Sequence, residues 1–160
     1  MMRPVTHQVR LETAAARPLA AIGTSARADQ VGPVIIATLD KIWPVLRGQG
    51  VRTGHNVVIY RGLAEGSLTI DVGVEVFGDV AANGEMRLTG TPPGDVATVA
   101  YFGEYSQMDP AYKALERWCA DNERKRTGVS WEVYGDWEDD AAKRRTDIYF
   151  GLEPLAIGVD

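Results

Sequence analysis

A chain of 160 residues, 45% hydrophobic and 24% charged, is long enough for one well-buried domain or two tightly fused halves, and short for two independent ones. Its 22 acidic residues outnumber 17 basic ones, a formal charge of -5 that argues against a broad phosphate-binding surface and so against nucleic acid as a direct partner. A single cysteine, Cys119, excludes an internal disulfide, and with only His7 and His55 beside it there is no ligand cluster for zinc; no metal or other cofactor is expected.

No run approaches the length needed to span a bilayer, and the N-terminus carries Arg3, His7, Arg10 and Glu12 where a signal peptide would be apolar. The expectation is a cytoplasmic protein that does not engage membranes. Met1 to Pro4 reads as a loose terminus. Val5, Val9 and Leu11 begin a strand that resumes, past Ala14-Ala15-Ala16, at Leu19 to Gly23. Pro33 suits the first position of a helix, and from Val34 to Leu46 the apolar Ile35, Leu39, Ile42 and Leu46 recur at helical spacing, with Pro44 near the end and Gly48 and Gly50 as stop signals. Asn56 to Tyr60 and Leu68 to Val76, separated by Gly62 to Gly66, read as an antiparallel hairpin. In the second of these strands Leu68, Ile70, Val72, Val74 and Val76 share one face. Thr69, Asp71, Gly73 and Glu75 share the other, where Asp71 and Glu75 are most simply solvent-facing charges.

Asp79 to Gly84 breaks the chain. Glu85 to Thr89 and Val96 to Phe102 then read as strands around the turn at Pro92-Pro93-Gly94. Asp109-Pro110 starts a second helix, in which Ala111, Tyr112, Leu115, Trp118 and Cys119 fall at helical spacing. The run Asp121 to Arg126 reads as its solvated end, with Arg124, Lys125 and Arg126 set against the helix dipole. Ser130 to Gly135 and Thr146 to Leu152 are the last strands, joined by a charged loop, and the tail runs out past Pro154.

Written as element order, strand-helix-strand-strand occurs twice, with half one at about 5–78 and half two at about 85–155. Laying Asn56 to Tyr60 over Ser130 to Tyr134 puts Tyr60 on Tyr134 and Val58 on Glu132. Two βαββ halves of this size cannot each bury a core, so the economical fold is α+β: duplicated units with pseudo-twofold symmetry, one antiparallel sheet, two main helices and a central pocket where the halves join.

Period-two alternation puts Glu132 and Tyr134 on one face of their strand and Trp131 and Val133 on the other. By residue type alone Glu132 is a surface carboxylate. In a pocket at the join it requires a partner, because an isolated buried carboxylate is costly, and a cationic ligand is one such partner.

Several pieces together resemble the GyrI-like small-molecule binding domain, the effector-binding domain of AraC-type and MerR-type multidrug regulators. They are Arg17-Pro18-Leu19-Ala20-Ala21-Ile22, Gly54 through Val57-Val58-Ile59-Tyr60, Ile70-Asp71-Val72-Gly73-Val74, Pro93-Gly94-Asp95-Val96-Ala97, Phe102-Gly103-Glu104-Tyr105, Ala111-Tyr112 with Leu115 and Trp118, Trp131-Glu132-Val133-Tyr134 and Thr146-Asp147-Ile148-Tyr149. The resemblance implies a pocket for amphipathic, often cationic aromatic compounds, with Glu132 meeting the positive charge. The chain departs from the pattern at Gly54-His55, where the family usually has Gly-Pro, and at Glu75-Val76, where it often has Pro-Val. No helix-turn-helix module is read in the chain, so the expectation is a stand-alone form.

The first functional expectation is a binding protein for small hydrophobic or cationic aromatic molecules, acting by sensing or sequestration. Its ligand-binding candidates are Glu132 with Tyr60, Tyr101, Phe102, Tyr105, Tyr134 and Tyr149. Trp43 and Trp118 are further candidates, although aromatics at helical spacing read first as core. The second expectation, also implied by the resemblance, is a hydrolase of strained electrophilic, cyclopropane-containing natural products, with Glu132 as general acid or base. The third, again implied by the resemblance and permitted by the charge of -5, is a gyrase-inhibitor-like protein-binding module, although the acidic loop of Asp136, Glu138, Asp139 and Asp140 reads first as a solvated turn. Cys119 and the two histidines have no catalytic partners in any recognisable order, and Gly62 to Gly66 opens no helix, as a phosphate loop would.

Overall fold

Stretches of β-branched and aromatic residues at period two form the strands, and apolar residues three and four apart form the helices. The computed structural model describes residues 7–155. Its strands are β1 (Arg10–Ala14), β2 (Pro18–Arg27), β3 (Arg52–Ala64), β4 (Ser67–Phe77), β5 (Arg87–Gly90), β6 (Gly94–Phe102), β7 (Arg126–Tyr134) and β8 (Arg145–Leu152). The main helices are α1 (Val31–Gln49) and α2 (Asp109–Asp121). Every strand pairing is antiparallel, in one sheet of order β1-β6-β8-β7-β3-β4-β2-β5. The fold is α+β, with β2-α1-β3-β4 repeated as β6-α2-β7-β8.

The central pair β3–β7 fixes the symmetry. Val57 pairs with Val133, Val58 with Glu132 and Ile59 with Trp131. A twofold axis through the Val58/Glu132 pair carries Tyr60 onto Tyr134, the same superposition as the internal repeat in the sequence.

β1 and β2 are six places apart in the sheet yet joined by residues 15–17 alone. Six flat inter-strand steps would span about 29 Å, whereas that link reaches roughly 14 Å at most. β5 and β6 are related in the same way through residues 91–93. The sheet therefore curls until its arms meet, and the two crossing links bond to each other: Thr91 N donates to Arg17 O at 3.1 Å and Arg17 N to Thr91 Oγ1 at 2.9 Å. Inside the curl, Leu19 and Ala21 of β2 and Val96 of β6 pack with Val57, Ile59 and Trp131. The other face carries the helices. α1 buries Thr38, Ile42 and Leu46 against one half, and α2 buries Ala111, Leu115 and Cys119 against the other.

Several boundaries differ from the sequence expectations. Val5 and the Met1 to Pro4 terminus lie outside the described residues, as does the tail beyond Leu155. What reads as one interrupted strand at the N-terminus is two strands six places apart, β1 at one edge of the sheet and β2 beside the β5 strand at the other. α1 continues past Pro44 to Gln49 and is ended by Gly50 at φ 65. β3 and β4 extend to a two-residue turn, Glu65 and Gly66, both at positive φ, which is the geometry that matches the twist of a hairpin.

The charges of the inner face correct two readings. Asp71 and Glu75 do not face solvent: Asp71 is 2% exposed and paired with Arg61 at 2.7 Å and Arg87 at 3.3 Å, and Glu75 is 8% exposed and paired with Arg17 at 3.2 Å. The curl turns this polar side of β4 inward, and buried carboxylates persist there because guanidinium groups reach them. Nor does Arg124 cap α2 from solvent. The helix stops at Asp121, and the buried Arg124 pairs with Asp95 at 3.0 Å and donates to Glu153 O. Arg126 already belongs to β7 and lies over the Phe150 ring.

Candidate functional site

On the helix-bearing face of the seam, Glu132 sits at the symmetry axis, 6% exposed, flanked by the twofold-related Tyr60 and Tyr134. Both phenols donate to its Oε1, Tyr60 at 3.3 Å and Tyr134 by a short contact. Tyr112, one turn into α2, donates to Oε2 by another short contact. Three phenols thus hold one carboxylate, and no ion pair reaches it among the described residues.

Over this group lies a cavity of about 380 Å³ between the first turns of the two helices. Ile35 of α1, Met108, Tyr105 and the Glu132 cluster form its walls. Tyr105, in the short turn Tyr105–Gln107 before α2, meets the Tyr134 ring edge-on at 5.7 Å. First-turn residues of both helices line the cavity, Val31 and Gly32 from α1 and Asp109 from α2. Asp109 is a second acid on the wall, but it stands at the rim, 74% exposed and paired with Lys113 at 3.0 Å.

Burial raises the pKa of Tyr60, Tyr112 and Tyr134, and the negative charge of Glu132 raises each of them further. The three phenols remain protonated donors. The folded protein holds these protons more tightly than the unfolded chain does, whose phenols titrate near 10. Stability is therefore intact below about pH 10 and falls as pH rises beyond it. Alkaline unfolding followed by circular dichroism is expected to show this fall, and Tyr112→Phe, which removes one of the three protons released, to make it shallower. An equally steep fall in the variant would refute the assignment.

The other aromatic candidates are dispersed. Tyr101 is core beneath α2, its hydroxyl donating to Glu104 O at 2.7 Å. Phe102 is exposed under Arg145, bordering a separate pocket with Arg17, Val133 and Asp147. Tyr149 is on the inner face, stacked on Trp131 at 5.5 Å and 8°. Trp43 packs on the α1 core and donates to Asn56 Oδ1 at 3.2 Å, and Trp118 packs on the α2 core. Of the rings proposed from sequence, Tyr60, Tyr105 and Tyr134 border the cavity with Glu132. Sequence reasoning missed Tyr112. Its signal was a polar-ended ring one position past the Ala111–Leu115–Cys119 stripe, at the edge of the face α2 turns to the sheet.

The acidic loop is accounted for locally: Asp136 contacts His55, Asp139 accepts from Trp137, and Asp140 caps the turn Ala141–Lys143. Among the described residues no His, Cys, Asp and Glu cluster is placed to hold a metal, and no helix is long and apolar enough to cross a membrane.

A duplicated sheet with a ring-lined cavity at its seam is the build of a small-molecule-binding domain. The chain belongs to the GyrI-like family: the model of the GyrI-like small molecule binding domain matches residues 7–153. Among solved structures it is similar to EcmrR, both as the C-terminal domain alone (18% identity, TM-score 0.75, 94% of this chain and 100% of that one) and within an EcmrR–DNA complex (19%, 0.78). In the DNA complex the match covers 93% of this chain but spans only 58% of the EcmrR chain. It is also similar to SAV2435 bound to tetraphenylphosphonium (11%, 0.62, 92% and 95% of the two chains) and to a hydrolase from Listeria innocua (6%, 0.62, 91% and 92%). At these identities the likeness establishes the fold. No curated protein matches the chain.

Proposed function

We propose that the protein binds small amphipathic, cationic aromatic molecules at the seam cavity, with Glu132 as partner of the positive charge and Tyr60, Tyr105, Tyr112 and Tyr134 as the ring-bearing wall. The observation that carries this is the Glu132 carboxylate: buried, held by three phenol donors, and without a cation of the protein's own among the described residues. Elsewhere the same chain pairs its buried acids with arginine, as at Asp71 and Glu75. A carboxylate left open toward a cavity has its charge available to a ligand, and a cation over an aromatic face gains about 0.5–2 kcal/mol besides. The role that follows is sensing or sequestration in the cytoplasm.

Calorimetric titration with tetraphenylphosphonium and with a neutral compound of similar ring count tests this. The cation is expected to bind at least about tenfold more tightly, a difference of roughly 1.4 kcal/mol. Equal affinity would overturn the assignment of charge. Incubation with a cyclopropane-bearing electrophile separates binding from hydrolysis, since a binder returns the compound unchanged.

A further inference from the structure

The cleft over the seam has a second compartment of about 360 Å³. It shares Ile35, Tyr105 and Tyr134 with the first and adds Ile36, Leu39 and Trp137, while Glu132 borders only the first. The pseudo-symmetry explains why it is there. Matching the buried stripe Thr38, Ile42, Leu46 to Ala111, Leu115, Cys119 makes Leu39 the counterpart of Tyr112 and Gly32 the counterpart of Tyr105. The α1 half therefore lacks both the hydroxyl and the ring that the α2 half sets beside the carboxylate. A Cβ at Gly32 would meet nothing within 4 Å, so the missing ring leaves open space. At the outer end Ile36 and Trp137 stand 63% and 64% exposed, apolar surface that an occupant would remove from water.

We propose that this compartment is an apolar-arm subsite, and that the preferred ligands are elongated amphipathic cations with a compact charged head on Glu132 and an unbranched apolar arm lying along α1 toward Trp137. This rests on the reading of Glu132 as the cation's partner. A cleft symmetric about the axis would favour a compact, globular cation. This one is polar at one end and apolar at the other, so it discriminates by length.

The test is a calorimetric series of ethyl-, butyl-, hexyl- and octyltrimethylammonium, each below its micelle concentration. In the wild type, Kd is expected to fall by about two- to fourfold per added methylene. Ile36→Gln with Trp137→Ala, both at exposed positions, is expected to flatten that dependence while leaving the ethyl homologue within about twofold of wild type. Binding that is weakened by Glu132→Gln but shows no chain-length dependence, or one the double variant leaves intact, would overturn the subsite and spare the carboxylate's role. Binding indifferent to Glu132→Gln at every length would overturn both.

Discussion

Glu132→Gln is expected to weaken binding of a monovalent organic cation by about 30- to 1000-fold, roughly 2–4 kcal/mol. The substitution keeps the shape of the side chain and its Oε1 acceptor for Tyr60 and Tyr134, and replaces the charged carboxylate by a neutral amide whose Nε2 stands where Oε2 accepted from Tyr112. The magnitude is large because the carboxylate is buried and held in place by Tyr60, Tyr112 and Tyr134, so little water screens it and little rearrangement accompanies binding. Affinity for a neutral ligand of the same ring count is expected to stay within a few fold. The free protein should not suffer: a charge with no cationic partner is exchanged for an amide, and the Tyr112 hydroxyl can rotate to accept from Nε2. Its melting temperature is expected to remain near wild type or rise. Asp109→Asn is the control. It removes a carboxylate from the wall of the same cavity, but an exposed and lysine-paired one, so the loss should be about 1 kcal/mol or less. Cation affinity equal in wild type and Glu132→Gln would remove the charge from any account of this pocket.

The features legible in the sequence are those fixed by period and order. Alternation along Trp131-Glu132-Val133-Tyr134 put Glu132 and Tyr134 on one face, and superposing the two halves put Tyr60 on Tyr134. The first follows from the pleat, whose period of two needs no tertiary information, and the second from the repeated order of elements. What alternation cannot say is which face of a strand meets the cleft. Tyr101 and Tyr149 are as aromatic as Tyr60, yet one is helix-side core and the other lies inside the curl. The curl itself depends on where β1 and β5 pair, and short edge strands carry too little pattern to reveal that each crosses to the other half. Asp71 and Glu75 were misread for the same reason: polar residues alternating with apolar ones mark a solvent face in a flat sheet and an ion-paired interior in a rolled one. Tyr112 was hidden by its helix, where a ring near the apolar stripe reads as core until the neighbouring strand is known to carry an acid.

The pleat also separates stability from binding, and Trp131→Ala is the substitution that shows it. Trp131 is 1% exposed and stacked on Tyr149, and it packs with Leu19, Ala21 and Val96, residues brought from both arms of the curled sheet. Truncation leaves a cavity at the point where the arms are held together, and is expected to destabilise the fold by about 3–5 kcal/mol. That is a large share of a total of roughly 5–15 kcal/mol, and for a chain of this size it corresponds to a fall in melting temperature on the order of 6–20 °C. Glu132 follows Trp131 in β7 but points to the other face, so cation affinity measured well below the new transition is expected to stay within about threefold of wild type, a difference under roughly 0.7 kcal/mol. Trp131→Ala and Glu132→Gln, adjacent in sequence, should therefore have opposite profiles, one losing stability and keeping affinity, the other the reverse. Loss of affinity in folded Trp131→Ala would mean that the curl sets the geometry of the phenols around the carboxylate, and that the two faces of β7 act as one unit.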